Sequence, residues 1–289
     1  MSSSRNPTLG IWLMIAAVAT FAAQDGFARH LAGEYGTFMV IMIRYWVFAG
    51  FVLLLALRRP EGPRAAVRSG RLPTHVLRSI LLIAEICLIV WSYTLVGLIN
   101  SLSVFMVCPL LIVAFSGPIL GEQISWQRWA AVGAGLVGVL VILRPGMGVF
   151  SWASLMPLAA ALLFALYSVL TRLTTRDEPT FPAFFWPGVI GAVLMTGLGL
   201  PELEPMKPAD MGLLAIYCGL SILSHWLILK CYEQVEAARV QPYSYLQLVF
   251  TTGIGMAVYG EVLELPVAIG SAIVVGAGLY ALSLERKPA

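Results

Sequence analysis

Charge is what this sequence has least of. Asp, Glu, Lys and Arg together make up 11% of its 289 residues, while 59% are apolar. A soluble protein carries about a quarter charged residues. A folded sphere of this size could not clothe itself in so little charge, which excludes a water-soluble domain, a disordered chain and a nucleic-acid binder. Histidine is nearly absent as well: His30, His75 and His225 are the whole set. No HExxH, no GxSxG and no buried carboxylate pair stands out, so an intramembrane enzyme lacks a nucleophile, a base and metal ligands. The four cysteines, Cys87, Cys108, Cys218 and Cys231, lie inside apolar stretches without CxxC or Cys/His spacing. They read as small buried residues, with no zinc site, disulfide framework or cofactor implied. Long polar segments are missing too. Only Arg58 to His75 could hold even a surface helix.

What is present is a series of long apolar runs. A helix needs about twenty mostly apolar residues to cross the hydrocarbon layer. Ten such runs can be marked, at roughly 9–27, 37–57, 76–96, 101–119, 126–144, 152–172, 181–200, 210–230, 240–260 and 266–284. Helix is the required state, because lipid leaves no partner for unpaired backbone groups. The fold class is therefore all-α integral membrane protein with ten transmembrane helices. The first run is longer than the apolar core of a usual signal peptide and reads as a retained helix.

Positive charge sets the expected direction. With the N-terminus in the cytoplasm, inner segments carry Arg5, Arg58, Arg59, Arg64, Arg68, Arg71, Arg78, Arg128, Arg172, Arg176, Lys230, Arg239, Arg286 and Lys287. Outer segments carry Arg29, Arg144 and Lys207, and Arg44 falls within a span. Both termini are expected inside, in a bacterial inner membrane.

The chain also repeats itself. At a shift of 139, Gly121-Glu122 coincides with Gly260-Glu261, and Tyr93 with Tyr232. At a shift of 143, Phe21 meets Phe164, Arg29 meets Arg172, and Thr37-Phe38 meets Thr180-Phe181. Two five-helix halves follow, 1–146 and 147–289. Five is odd, so the halves enter the membrane in opposite senses, an arrangement used by secondary transporters that rock about a midplane site.

The stretch Pro118-Ile119-Leu120-Gly121-Glu122-Gln123-Ile124-Ser125-Trp126, followed by Gly133-Ala134-Gly135-Leu136-Val137-Gly138, resembles the EamA signature of the drug/metabolite transporter superfamily. Tyr259-Gly260-Glu261-Val262-Leu263-Glu264, with Gly270 and Gly276-Ala277-Gly278, resembles its second copy, without the preceding proline. Within that family the chain is most similar to the YddG-type exporters of aromatic and other amino acids. The resemblance implies alternating-access export of small amphipathic metabolites, amino acids first. Export of lipophilic cations or drugs is the alternative. It also implies a cavity lined mainly by spans three, four, eight and nine, with spans five and ten peripheral. The implied partners are a small-molecule substrate and the bilayer, with proton coupling or gradient-following flux, in a monomer or weak homo-oligomer.

Ionisable residues within spans cost roughly 2.5–3.5 kcal/mol on insertion scales, so they face a cavity or a partner. Glu85 reads as a proton carrier or substrate contact, or as a neutral carboxyl bonded to a neighbouring helix. His225 aligns beside it under the repeat, as a relay or as a satisfied interior histidine. Asp25 and Arg44 are expected as an ion pair, or Arg44 as a snorkelled anchor or a substrate-carboxylate contact. Phe105, Pro109, Tyr167, Trp186, Tyr243, Tyr245 and Gln247 are further cavity candidates, weighed against interfacial anchoring. Gly253 and Gly255 make the ninth span compliant and suit a gate. Ala130, Ala134 and Gly138, and likewise Ala272 and Gly276, read as small-residue packing stripes.

Overall fold

The computed structural model describes residues 6–60, 62–145, 151–175, 178, 180–234 and 240–285. Among them there is no strand, and nine helices are long and apolar enough to cross a bilayer. They are the first span Pro7–Tyr35, the second Thr37–Leu57, the third Leu72–Leu95, the fourth Leu98–Leu120, the fifth Trp126–Leu143, the sixth Trp152–Thr174, the seventh Phe181–Glu202, the eighth Pro208–Ile228 and the tenth Leu265–Leu284. The ninth run is shorter. A 3-10 turn, Gln241–Tyr245, leads into the helix Leu246–Tyr259. The fourth span is also divided, into Leu98–Phe105 and Cys108–Leu120. Pro109 stands at that division. It has no N–H to offer the carbonyl of Phe105, four residues back, so the ladder slips at Met106 and Val107.

Alternate crossing brings residues 6 and 285 to the same side, here called the terminal face. Asn6 N–H donates to Gln234 there, at 3.2 Å. On the opposite face the spans are joined by tight turns. Gly97 adopts φ +87, ψ 165, a conformation that needs glycine. The chain thus re-enters the membrane at once as the fourth span. The ninth span ends on Gly260, in the left-handed region at φ +62.

The helix pairs that pack most extensively are first with eighth, second with seventh, third with sixth, and fifth with tenth. Each pair joins a span before residue 146 to one after it. The fifth and tenth spans meet backbone to backbone. A Cβ on Gly138 would lie 2.8 Å from the Gly270 carbonyl oxygen. The packing face therefore runs through Ala131, Gly135, Gly138 and Ile142, all buried. Of the expected stripes, Gly138 lies on this contact, whereas Ala130, Ala134, Ala272 and Gly276 are exposed in the single chain. Two faces of each helix carry small residues, and only one can meet the partner. The four cysteines are free, and all but Cys87 are buried.

Candidate functional site

Within the bundle a cavity of about 50 Å³ is lined by the second, third, sixth, seventh and eighth spans. Its polar wall is Arg44, Ser221 and His225, and its aromatic wall is Tyr45, Phe48, Tyr167 and Phe184. A single water needs about 10–15 Å³ of such space, so the cavity has room for a few waters. A larger cleft of about 240 Å³ lies where Asn100, Arg144, Ser151 and Glu264 meet. It lies at the opposite face, lined by span ends and connections, and has no aromatic wall.

Arg44 is held from the eighth span. Its Nε donates to Ser221 Oγ at 2.9 Å, and Nη1 reaches the Tyr217 hydroxyl at 3.4 Å. Behind it lie two carboxyl side chains. Asp25 accepts from Gln247 Nε2 at 3.0 Å and from the Tyr93 hydroxyl. Glu85, 5% exposed, has no hydrogen-bond partner among the described residues, and interacts with Arg44 and Asp25 through space. The two buried carboxyls and the guanidinium feel one another through space, an acidic pair that linear spacing does not disclose. The expected direct pair of Asp25 with Arg44 is absent among the described residues. Gln247 and Tyr93 occupy Asp25, while Tyr217 and Ser221 occupy Arg44.

His225 faces the cavity. Its Nδ1 donates to the Ser221 carbonyl at 2.7 Å, and its ring meets Phe21, Phe48 and Phe184 at 5.5–6.4 Å between centroids. Tyr167 lines the cavity beneath Arg78, whose guanidinium lies 5.0 Å from its ring. The other candidates lie elsewhere. Phe105 meets the Phe164 ring at a tilt, 5.8 Å between centroids, beside the break at Pro109. Tyr243 packs with Met14, Val18 and Val240. Tyr245 is buried with its hydroxyl against Gly278 and without a hydrogen-bond partner among the described residues. Trp186 donates to the Val67 carbonyl at 3.2 Å near the terminal face. Gly253 has open space around it, whereas a Cβ on Gly255 would lie 2.7 Å from Ile99. None of the cavity lining comes from the fourth or ninth span, contrary to the expectation, while the second and seventh contribute most of it. The fifth and tenth spans, as expected, stand outside it.

Arg78 was read from sequence as a loop-end charge, yet it is 1% exposed. Pro187 explains part of its place. A proline inside the seventh span frees the Ala183 carbonyl, and Arg78 Nη1 donates to that oxygen at 3.0 Å. Arg78 Nη1 also donates to His75 Nδ1 at 3.0 Å, so His75 carries its proton on Nε2 and donates to Glu178 at 3.1 Å. Glu178 accepts further bonds from Ser69 Oγ and the Gly70 N–H, at 2.7 and 2.9 Å. The Ser69 bond above all, then His75 and Gly70, holds its carboxyl below the ordinary range against a smaller opposing effect of burial. A depressed carboxyl contributes stability above its ordinary value of about 4.3, and that contribution is lost as pH falls through the folded value. Acidification from pH 6 to pH 3 is thus expected to free the Gly70 N–H. Hydrogen exchange at Gly70, corrected for the intrinsic rate, should rise, and Glu178→Gln should raise it already at pH 6.

Nine membrane-length helices among the described residues, around a small cavity with a charged and an aromatic wall, suit a carrier for small molecules. The chain belongs to the EamA-like transporter family, whose model matches twice, over residues 8–144 and 151–283. It is 28% identical over 292 residues to the riboflavin transporter of Vibrio cholerae, covering 99% of this chain and 97% of that protein. It is 23% identical to the S-adenosylmethionine uptake transporter of Rickettsia prowazekii, covering 96% and 94%. A solved structure described only as the crystal structure of a protein shares the fold, with TM-score 0.64, 22% identity and 98% of each chain covered. The protein is a multi-pass membrane transporter of a small metabolite. Neither relative is named for amino-acid export.

Proposed function

We propose that the chain carries a flat, uncharged heteroaromatic metabolite of the flavin class across a bacterial inner membrane by alternating access. The cavity lining supports this reading. Tyr45, Phe48, Tyr167 and Phe184 offer ring faces, and Arg44 offers donors to a carbonyl or imide edge. The lining holds no Asp or Glu. A sulfonium cargo, a lipophilic cation or an amino-acid ammonium would meet Arg44 in the lining itself, while Glu85 and Asp25 stand outside the lining. The amino-acid expectation is weaker on that ground. Both termini are cytoplasmic in this proposal, on the positive-inside count. The family model's two matches support oppositely threaded halves on either side of residue 146.

Buried Glu85 and Asp25 outnumber the one guanidinium beside them, which supports binding of a coupling cation. The test is counterflow into liposomes with riboflavin, S-adenosylmethionine and tryptophan as labelled cargoes. Riboflavin flux is expected. Flux of either other cargo without riboflavin would reverse the assignment. Under an imposed proton gradient, Glu85→Gln should abolish the gradient's effect while counterflow persists. Retained stimulation would remove Glu85 as the coupling group.

A further inference from the structure

The repeated Gly-Glu pairs and the repeated arginines are distant in sequence, but the fold ties them to one another crosswise. Arg29, near the end of the first span, pairs with Glu261, just past the ninth. Arg172, near the end of the sixth, pairs with Glu122, just past the fourth, at 3.1 Å. Each pair joins one half of the chain to the other. The Glu261 pair lies at the opposite face and the Glu122 pair at the terminal face, so a single device occurs once on each side.

The two copies are not in the same condition. Glu261 also accepts from the Leu98 and Ile99 N–H groups at 2.7 and 2.8 Å, capping the fourth span where Gly97 opens it. Arg29 lies over the Tyr259 ring at 4.0 Å, and the Tyr259 hydroxyl donates to the Gly26 carbonyl at 2.6 Å. Gly255 admits Ile99 and Glu261 against the ninth span. The Arg29 and Glu261 side chains are 21% and 15% exposed, whereas Arg172 and Glu122 are 52% and 29% exposed. The copy at the opposite face is the tighter of the two.

We propose that Glu261 and Glu122 are the positioning residues of two alternating gates. Each carboxylate latches to an arginine of the other half, and one latch parts as its counterpart tightens. Glu261 leaving Arg29 and the start of the fourth span opens the opposite face. Glu122 leaving Arg172 opens the terminal face. The inference rests on the alternating-access reading, but its test needs no cargo.

The test places one reporter cysteine at Ile86, a cavity-lining position, in a chain whose four cysteines are replaced. A membrane-impermeant maleimide is then applied to each face of oriented proteoliposomes. Glu261→Gln should raise labelling from the opposite face roughly fivefold or more, the lower end of ordinary coupling between sites. It should lower labelling from the terminal face. Glu122→Gln should do the reverse. Arg29→Gln, which leaves the carboxylate cap in place, should shift labelling in the same direction as Glu261→Gln and covers the case in which that variant does not fold. Labelling that changes equally on both faces, or on neither, overturns the proposal. Correct sidedness with no flux of any cargo would leave the gates standing and sink the transport reading instead.

Discussion

Arg44→Gln is expected to cut riboflavin counterflow about 10- to 150-fold with the protein still folded. The range follows from losing one charge-assisted hydrogen bond, about 1.5–3 kcal/mol. The reason lies in how Arg44 is mounted. Nε is spent on Ser221 and Nη1 leans on Tyr217, which fixes the plane of the guanidinium beside the cavity. Glutamine keeps a donor amide but cannot hold Ser221 and reach a cargo edge together. Arg44→Lys keeps the charge and loses the fork, so it should fall between wild type and Arg44→Gln. Since Glu85 and Asp25 sit behind Arg44, either variant should also change the pH dependence of flux, and lysine should change it less. Wild-type half-saturation and maximal rate in Arg44→Gln would show that cargo binds elsewhere.

Gly270→Val is expected to be the most damaging single change to the fold. A Cβ at position 270 would lie 2.6 Å from the Gly138 carbonyl oxygen, and the obstacle is backbone, which cannot rotate aside. The fifth and tenth spans would have to separate along their contact. Overpacking costs typically 1–3 kcal/mol. For a chain of this size that lowers a melting midpoint by roughly 2–12 °C. Gly138→Val should behave alike. Ala272→Leu adds the same three carbons on an exposed face of the same helix and should leave the midpoint unchanged. Thermal unfolding in detergent checks all three, and equal effects at 270 and 272 would dismiss the account.

These two sites show what a sequence discloses and what it withholds. The spans were legible because the bilayer imposes one length and one chemistry on all of them. Even the ninth showed itself by hydropathy, although part of it is a 3-10 turn. The break after Phe105 was foreshadowed by Pro109, which removes a backbone donor wherever it stands. Cavity membership was not legible in the same way. Phe48 and Phe184 look like any lipid-facing aromatics until the second and seventh spans are set side by side, 5.1 Å between ring centroids. Tyr245 and Trp186 carry the right chemistry and are turned elsewhere. The same holds for charge. Glu122, Glu261, Arg29 and Arg172 announced a repeat, but linear spacing cannot say that partners are exchanged between its copies. Arg78 was hidden by its position near a span end, where arginines ordinarily reach water.

The crosswise pairing of spans has a consequence for biogenesis. The first span packs chiefly on the eighth, whose helix is described over Pro208–Gln234. Roughly 200 further residues must leave the ribosome before that neighbour exists, about 10–40 s at ordinary rates of translation. During that interval Asp25 would sit in a newly inserted helix without Gln247 beside it. A chain truncated after residue 146 would lack the major partners of its first, second, third and fifth spans, and is a natural substrate for membrane quality control.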